Sequence, residues 1–225
     1  MKRVAVVIGA WLLAGCVSDP VAPQDGGADA NANGTDAGDA GAPKDGGGAD
    51  AAPCMGACDH VVFVSSVKYT GNLGGPSGLN SADAKCNDLA KGKLAGTFVA
   101  WVSSKADTAK ARLWGGGAPA PGRWVLPDKT TVVANSWAGL TSGTLQHAID
   151  RDESGAAVSL AQLVITNTNA QGDEDMPGYD CGGFFAAGAS FICPGHISSG
   201  MDWTTSAPCN FLCSTQDYRI YCMQK

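Results

Sequence analysis

The chain has 225 residues, 15 of them basic and 21 acidic, for a net charge of −6, and it contains nine cysteines. Seven of the acidic residues fall between positions 17 and 53, which leaves 12 basic and 14 acidic residues from Cys54 onward. A folded part so close to neutral excludes an electrostatic nucleic-acid binder, whose footprint is a basic excess.

The first residues read as an export address. Lys2 and Arg3 precede an apolar run over 4–13. That run is too short for a bilayer span, which takes about 20 residues, and suits the core of a signal peptide. Leu13-Ala14-Gly15-Cys16 follows directly and resembles the lipobox of bacterial lipoproteins. The resemblance implies a diacylglycerol on the Cys16 thiol, removal of residues 1–15, and usually acylation of the new amine. Two or three acyl chains hold a protein stably on a lipid bilayer, where one chain binds marginally. Val17, rather than aspartate, follows Cys16, and the sorting rule for Gram-negative lipoproteins then points to the outer membrane.

Over 17–53 there are 10 alanines, 8 glycines, 7 aspartates and no aromatic residue. Such a segment buries too little apolar surface to offset the entropy of ordering, so 16–53 is expected to be a disordered acidic tether. As a coil it spans about 30–35 Å. Its aspartates do not follow the glycine-aspartate nonapeptide of calcium-binding repeats.

Residues 54–225 have the length of one domain with its own core. With Cys16 set aside, eight cysteines remain: Cys54, Cys58, Cys86, Cys181, Cys193, Cys209, Cys213 and Cys222. An even number in an exported domain fits four disulfides, in any of 105 connectivities. The competing reading is zinc, because Cys193-x-x-His196 and Cys209-x-x-x-Cys213 have ligand spacing. An oxidising compartment favours disulfides.

In chain order, the apolar stretch 60–66 predicts a strand. Ser81 reads as an N-cap for a helix over 82–91, with Ala82, Cys86, Leu89 and Ala90 on one face. Residues 97–103 read as a buried strand. Residues 107–113 read as a second short helix, stopped by Gly115-Gly116-Gly117. Strands over 123–126 and 131–134 flank the turn signal Pro127-Asp128-Lys129. Further strands are expected over 163–168 and 218–223, with long loops rich in Gly, Asn and Asp between them. The class is α+β with two short helices.

Several phrases, in this order, carry a family resemblance. Val62-Phe63-Val64-Ser65-Ser66, Tyr69-Thr70-Gly71-Asn72-Leu73-Gly74-Gly75 and Ala82-Asp83-Ala84-Lys85-Cys86 open the domain. Phe98-Val99-Ala100-Trp101-Val102-Ser103 and Ala111-Arg112-Leu113 follow. Trp137-Ala138-Gly139-Leu140-Thr141, then Ile149-Asp150-Arg151-Asp152-Glu153-Ser154-Gly155, then Tyr221-Cys222 complete the series. Together they resemble the bacterial DUF1554 family of exported domains, related to the endostatin-like and C-type lectin-like fold, over about residues 60–225. The resemblance implies a mixed, mostly antiparallel sheet. It also implies a bridge from the first helix to the last strand, Cys86 to Cys222. A second bridge would join Cys181 to Cys209 or Cys213, with Cys193 taking the other. Cys54 and Cys58 are close enough in sequence to pair with each other.

For catalysis the domain offers only His60, His147 and His196. It has no Gly-x-Ser-x-Gly, no His-Glu-x-x-His and no phosphate-cradling glycine loop. His147 near Asp150 reads as a solvated loop histidine, so the chain is not expected to be an enzyme. Two acidic clusters are calcium candidates, because oxygen-rich turns suit Ca²⁺. One is Asp150, Asp152 and Glu153; it is not an EF-hand, since Ala161 stands at the twelfth position. The other is Asp173, Glu174 and Asp175, in the loop where C-type lectins hold calcium and sugar. The lectin motifs Glu-Pro-Asn and Gln-Pro-Asp are absent, and Trp203 is followed by Thr204-Thr205. Solvated loop acids are the plain alternative. Among the tryptophans, Trp101 reads as core. Trp114, beside three glycines, and Trp203, on a loop, are the candidates for an exposed ligand-binding aromatic. The functional expectation is a membrane-anchored module that binds a glycan or matrix protein. The alternatives are a passive envelope lipoprotein and a secreted hydrolase.

Overall fold

A computed structural model describes residues 58–74, 78–185, 190–206, 208–214 and 218–225. Cys16, the expected tether and Cys54 lie outside the described residues. The lipidation site and the Cys54–Cys58 pairing therefore fall outside what is described.

Strand β1 (His60–Val64) is buried at every position. Successive side chains of a strand point to opposite faces, so a strand buried throughout needs cover on both. Val61 and Phe63 enter one core, and Val62 and Val64 enter another. The last strand, β9 (Tyr218–Gln224), divides the same way. Ile220 and Cys222 go to the first core, Tyr221 and Met223 to the second.

Between them run α1 (Asn80–Ala90), β2 (Phe98–Ala100), α2 (Ala109–Trp114), β3 (Trp124–Val125), β4 (Val132–Ala134), α3 (Trp137–Leu140), β5 (Leu163–Ile165), α4 (Cys181–Phe184), β6 (Phe191–Ile192), β7 (Pro194–His196) and β8 (Phe211–Leu212). The main sheet follows the order β4-β3-β1-β9-β5-β7, and β2 also pairs with β9. β9 is antiparallel to β1 on one edge, with Phe63 opposite Cys222. Its other edge carries β2, antiparallel, and β5, parallel. β6 and β8 form a separate antiparallel pair. The domain is therefore α+β with a mostly antiparallel sheet, as expected.

Helix α1 covers the first core with Ala82, Cys86 and Ala90. Its start corrects the expected Ser81 cap. The helix begins at Asn80 behind Leu79, whose side chain makes no capping bond but is itself buried. Packing, not a cap, sets that end. Helix α2 covers the second core with Ala109 and Leu113. It starts after Thr108, whose hydroxyl accepts the Ala111 N–H, and ends where Gly115 turns left-handed at φ 57°, a conformation glycine adopts without a Cβ clash.

Two helices were expected, and the described residues hold two more. α3 is one turn capped by Ser136, whose hydroxyl accepts the Gly139 N–H. α4 is left-handed, with φ of 53°, 65°, 75° and 63° at Cys181, Gly182, Gly183 and Phe184. For Cys181 and Phe184 that conformation costs about 1–2 kcal/mol each. The disulfide of Cys181 and a 2.6 Å bond from Phe184 N to Asp180 O hold it.

Three disulfides stand among the described residues: Cys86–Cys222, Cys181–Cys213 and Cys193–Cys209. The first ties α1 to β9. Of the two partners open to Cys181, Cys213 is the one it takes. The zinc reading is overturned, since Cys193, Cys209 and Cys213 are all consumed in disulfides.

Candidate functional site

The segment after β5 leaves the sheet and returns over 167–176, and a set of short bonds fixes it. Asn167 is fully buried and left-handed at φ 43°, which asparagine tolerates better than most residues. Its carbonyl accepts the Asp175 N–H at 3.1 Å, and its side-chain oxygen accepts the Met176 N–H at 3.3 Å. One residue thus closes both ends of the loop. Farther out, the Asn169 side chain accepts the N–H groups of Gln171 and Asp173, at 3.0 and 3.1 Å.

Beneath the loop lies a buried hydroxyl network. The Trp101 indole donates to Thr204 Oγ1 at 2.7 Å, and Thr204 and Thr205 both donate to Thr168 O at 2.6 Å. Thr166 donates to Thr204 O. Thr168 donates to Ser103 Oγ at 3.0 Å, and Ser103 Oγ accepts the Ala109 N–H. This network joins the loop to α2 and to the segment after the 3-10 turn Met201–Trp203. Satisfied buried polar networks rigidify what they connect.

The loop stands between two clefts. One, of about 320 Å³, is lined by Asn169, Asp175, Met176, Met201, Thr204 and Thr205, with Cys209 in its wall. Burial pushes the Asp175 carboxyl above its ordinary range. The other, of about 220 Å³, is lined by Thr108, Lys110, Trp114, Gly116, Gly117 and Asp173. Lys110 and Asp173 form an ion pair at 3.8 Å across it. Gly172 brings the two elements together: its carbonyl accepts the Lys110 N–H at 3.0 Å. A Cβ there would sit 3.0 Å from Lys110 Cβ and 3.1 Å from the Trp101 ring.

The tryptophans divide between these roles. Trp203, expected to be exposed, is 0% exposed. Its ring stacks on Trp101 at 5.4 Å and contacts Tyr221 at 5.8 Å. A single 3-10 turn folds it inward, which loop composition does not reveal. Trp101 is buried, as expected. Trp114 alone of the two candidates reaches a cleft. Its ring is held edge-on by Trp137 at 5.5 Å, His60 at 5.9 Å and Trp124 at 6.2 Å. No family model and no curated protein matches the chain.

The acidic candidates do not converge. Asp152 Oδ1 accepts from Ser154 N and Oγ and from Ala156 N. Glu153, nearly buried, accepts from Ser66 N and Oγ and from Lys93 Nζ. Asp150 pairs with Arg151 at 3.0 Å. In the second cluster Asp173 faces Lys110, while burial and then Asp180 push the Glu174 carboxyl up. Among the described residues, no three His, Cys, Asp or Glu side chains come together to hold a metal ion. The turns take up Asp152 Oδ1 and the Glu153 carboxylate, while Asp150 Oδ1 and Glu174 Oε1 are buried without a hydrogen-bond partner.

His147 Nδ1 lies 2.7 Å from its neighbour's carbonyl, Ala148 O, and 3.8 Å from Asp150. His60 stacks on Trp124 at 4.8 Å, and burial lowers its pKa. No helix among the described residues is long and apolar enough to cross a membrane. Lys110, Asn169 and Thr205 line the clefts, and Gly172 joins the loop to α2, without having been predicted. Only Gly172 carries a sequence signal, as an isolated glycine beside an acidic run.

Proposed function

We propose that this chain is a lipid-anchored envelope protein displaying one recognition domain of the endostatin-like or C-type lectin-like kind, of the DUF1554 family. The loop platform over 167–176 and its flanking clefts form the ligand-facing surface. One observation carries the reading. A loop with little regular structure is locked by Asn167, a hydroxyl network and a neighbouring disulfide. Loops positioned on a rigid scaffold are where proteins place binding groups, and fixing a loop beforehand lowers the entropy lost on binding. The anchor at Cys16, in the outer membrane, rests on Leu13-Ala14-Gly15-Cys16. A spacer over 17–53 would hold the domain clear of the bilayer. Binding rather than turnover fits Asp152 and Glu153, whose carboxylates are engaged by Ser154, Ala156, Ser66 and Lys93.

Two measurements test the reading. Cells given radiolabelled palmitate should label the full-length chain, and Cys16→Ala should abolish the label. A label that persists in Cys16→Ala would remove the anchor. The detergent-solubilised full chain should bind a subset of an array of glycans and matrix proteins. A flat array would leave only a passive envelope role.

A further inference from the structure

We infer that the cleft beside Trp114 is a saccharide subsite, taking one neutral hexose unit of a polysaccharide chain without calcium. The inference rests on the recognition reading above and names its ligand class. Three features of the cleft narrow the chemistry. First, about 220 Å³ lies below the roughly 300–1,000 Å³ of pockets that enclose a drug-sized ligand, so it holds a single ring. Second, its wall is an indole fixed by edge contacts to Trp137, Trp124 and His60. The half-buried side chain is therefore held rigid where it lines the cleft, and little rotamer entropy is lost when something packs against it.

Third, the rim carries one cation and one anion, Lys110 and Asp173, each about half exposed and 3.8 Å apart. An anionic ligand would meet Asp173 and a cationic one Lys110. A neutral polyol satisfies both: its hydroxyls accept from the ammonium and donate to the carboxylate. A hexopyranose combines that polar rim with an apolar ring face. Beside the indole, Gly116 has no atom within 4 Å of where a Cβ would stand, so backbone is open to close approach there. The loop platform aligns the parts, because Gly172 O takes the Lys110 N–H and sets Asp173 next to that side chain.

Affinity electrophoresis of the detergent-solubilised full chain in gels containing dextran, laminarin, mannan or pullulan tests the inference. The wild type should be retarded by at least one of them, equally with and without EDTA. Trp114→Ala should weaken retardation about tenfold or more, the scale of a lost aromatic stack with its buried area. Lys110→Ala and Asp173→Ala should each weaken it several-fold, as expected for one rim hydrogen bond. Trp114→Phe keeps a stacking ring and serves where the alanine variant fails to fold; it should retain part of the binding. Retardation unchanged in the Lys110→Ala and Asp173→Ala variants, or lost with EDTA, overturns the subsite. No retardation by any of the four glycans, with binding to a matrix protein, overturns it and leaves the recognition reading standing. No binding to anything overturns both.

Discussion

Arg112 and Lys110 sit two residues apart on α2 and carry opposite weights. The Arg112 side chain is 7% exposed and donates to the carbonyls of Ala100 and Val102, both at 2.7 Å, while pairing with Asp83 at 3.2 Å. It ties α2 to the end of β2 and to α1. A lysine cannot reproduce that fork. Arg112→Lys should therefore lower stability by about 1–3 kcal/mol, the cost of stranding a buried acceptor. Lys110→Ala, at a half-exposed pair, should change it by less than about 1 kcal/mol. Urea unfolding of the two variants checks this, and equal losses would refute it. Glu153 sets a pH dependence. Burial alone would raise its carboxyl, but hydrogen bonds from Ser66 and Lys93 outweigh that and hold it below the ordinary range. A depressed native pKa adds stability that is complete above the unfolded value, about pH 4.3, and is lost as pH falls through the native one. Glu153→Gln should flatten the stability curve below about pH 4.3 relative to wild type. A curve of unchanged slope there would show that Glu153 does not drive the acid loss.

At the level of elements, β9 is the strand around which the others assemble. It pairs with β1, β2 and β5, and Cys222 bonds to α1 across 136 residues of chain. Closing a loop of that length stabilises by about 5 kcal/mol in the chain-entropy model, while native disulfides removed from small exported domains cost about 2–5 kcal/mol. The double variant Cys86→Ala/Cys222→Ala should lose a comparable amount in urea, with the other two disulfides intact. A loss under about 1 kcal/mol would mean that β9 is held by pairing alone. The same elements mark what was legible in sequence. β2 is a continuous apolar run, β1 is one after His60 and β9 one between Arg219 and Gln224, and α1 repeats its small buried residues at helical spacing, so pattern finds them. α3, α4 and β6 to β8 span two to four residues each, too few for any period to register. The left-handed α4 is held by a disulfide and by a bond from Gly74 N to Phe184 O. Neither is a local property of Cys181-Gly182-Gly183-Phe184. The cleft was half legible for a similar reason. Trp114 beside glycines stands out in sequence, whereas Asp173 meets Lys110 only because the chain folds back over α2.

For the whole domain, the disulfides grade the structure from its core outward. Cys86, Cys222, Cys181, Cys213 and Cys193 are all inaccessible, while Cys209 is partly exposed in the wall of the larger cleft. Thiol–disulfide exchange requires a thiolate to reach a sulfur. A reductant at native pH should therefore open Cys193–Cys209 from the folded state, while the other two wait for wider opening of the chain. The region freed first is the one carrying Met201, Thr204 and Thr205, not the two-faced sheet. Timed reduction with dithiothreitol, alkylation and peptide mass spectrometry should show Cys209 and Cys193 labelled first, at a rate set by reductant concentration. Cys86 and Cys222 should follow at a rate that tracks unfolding and rises with urea. If all six thiols appear together, the domain opens as one unit, and the platform is no more labile than the sheet beneath it.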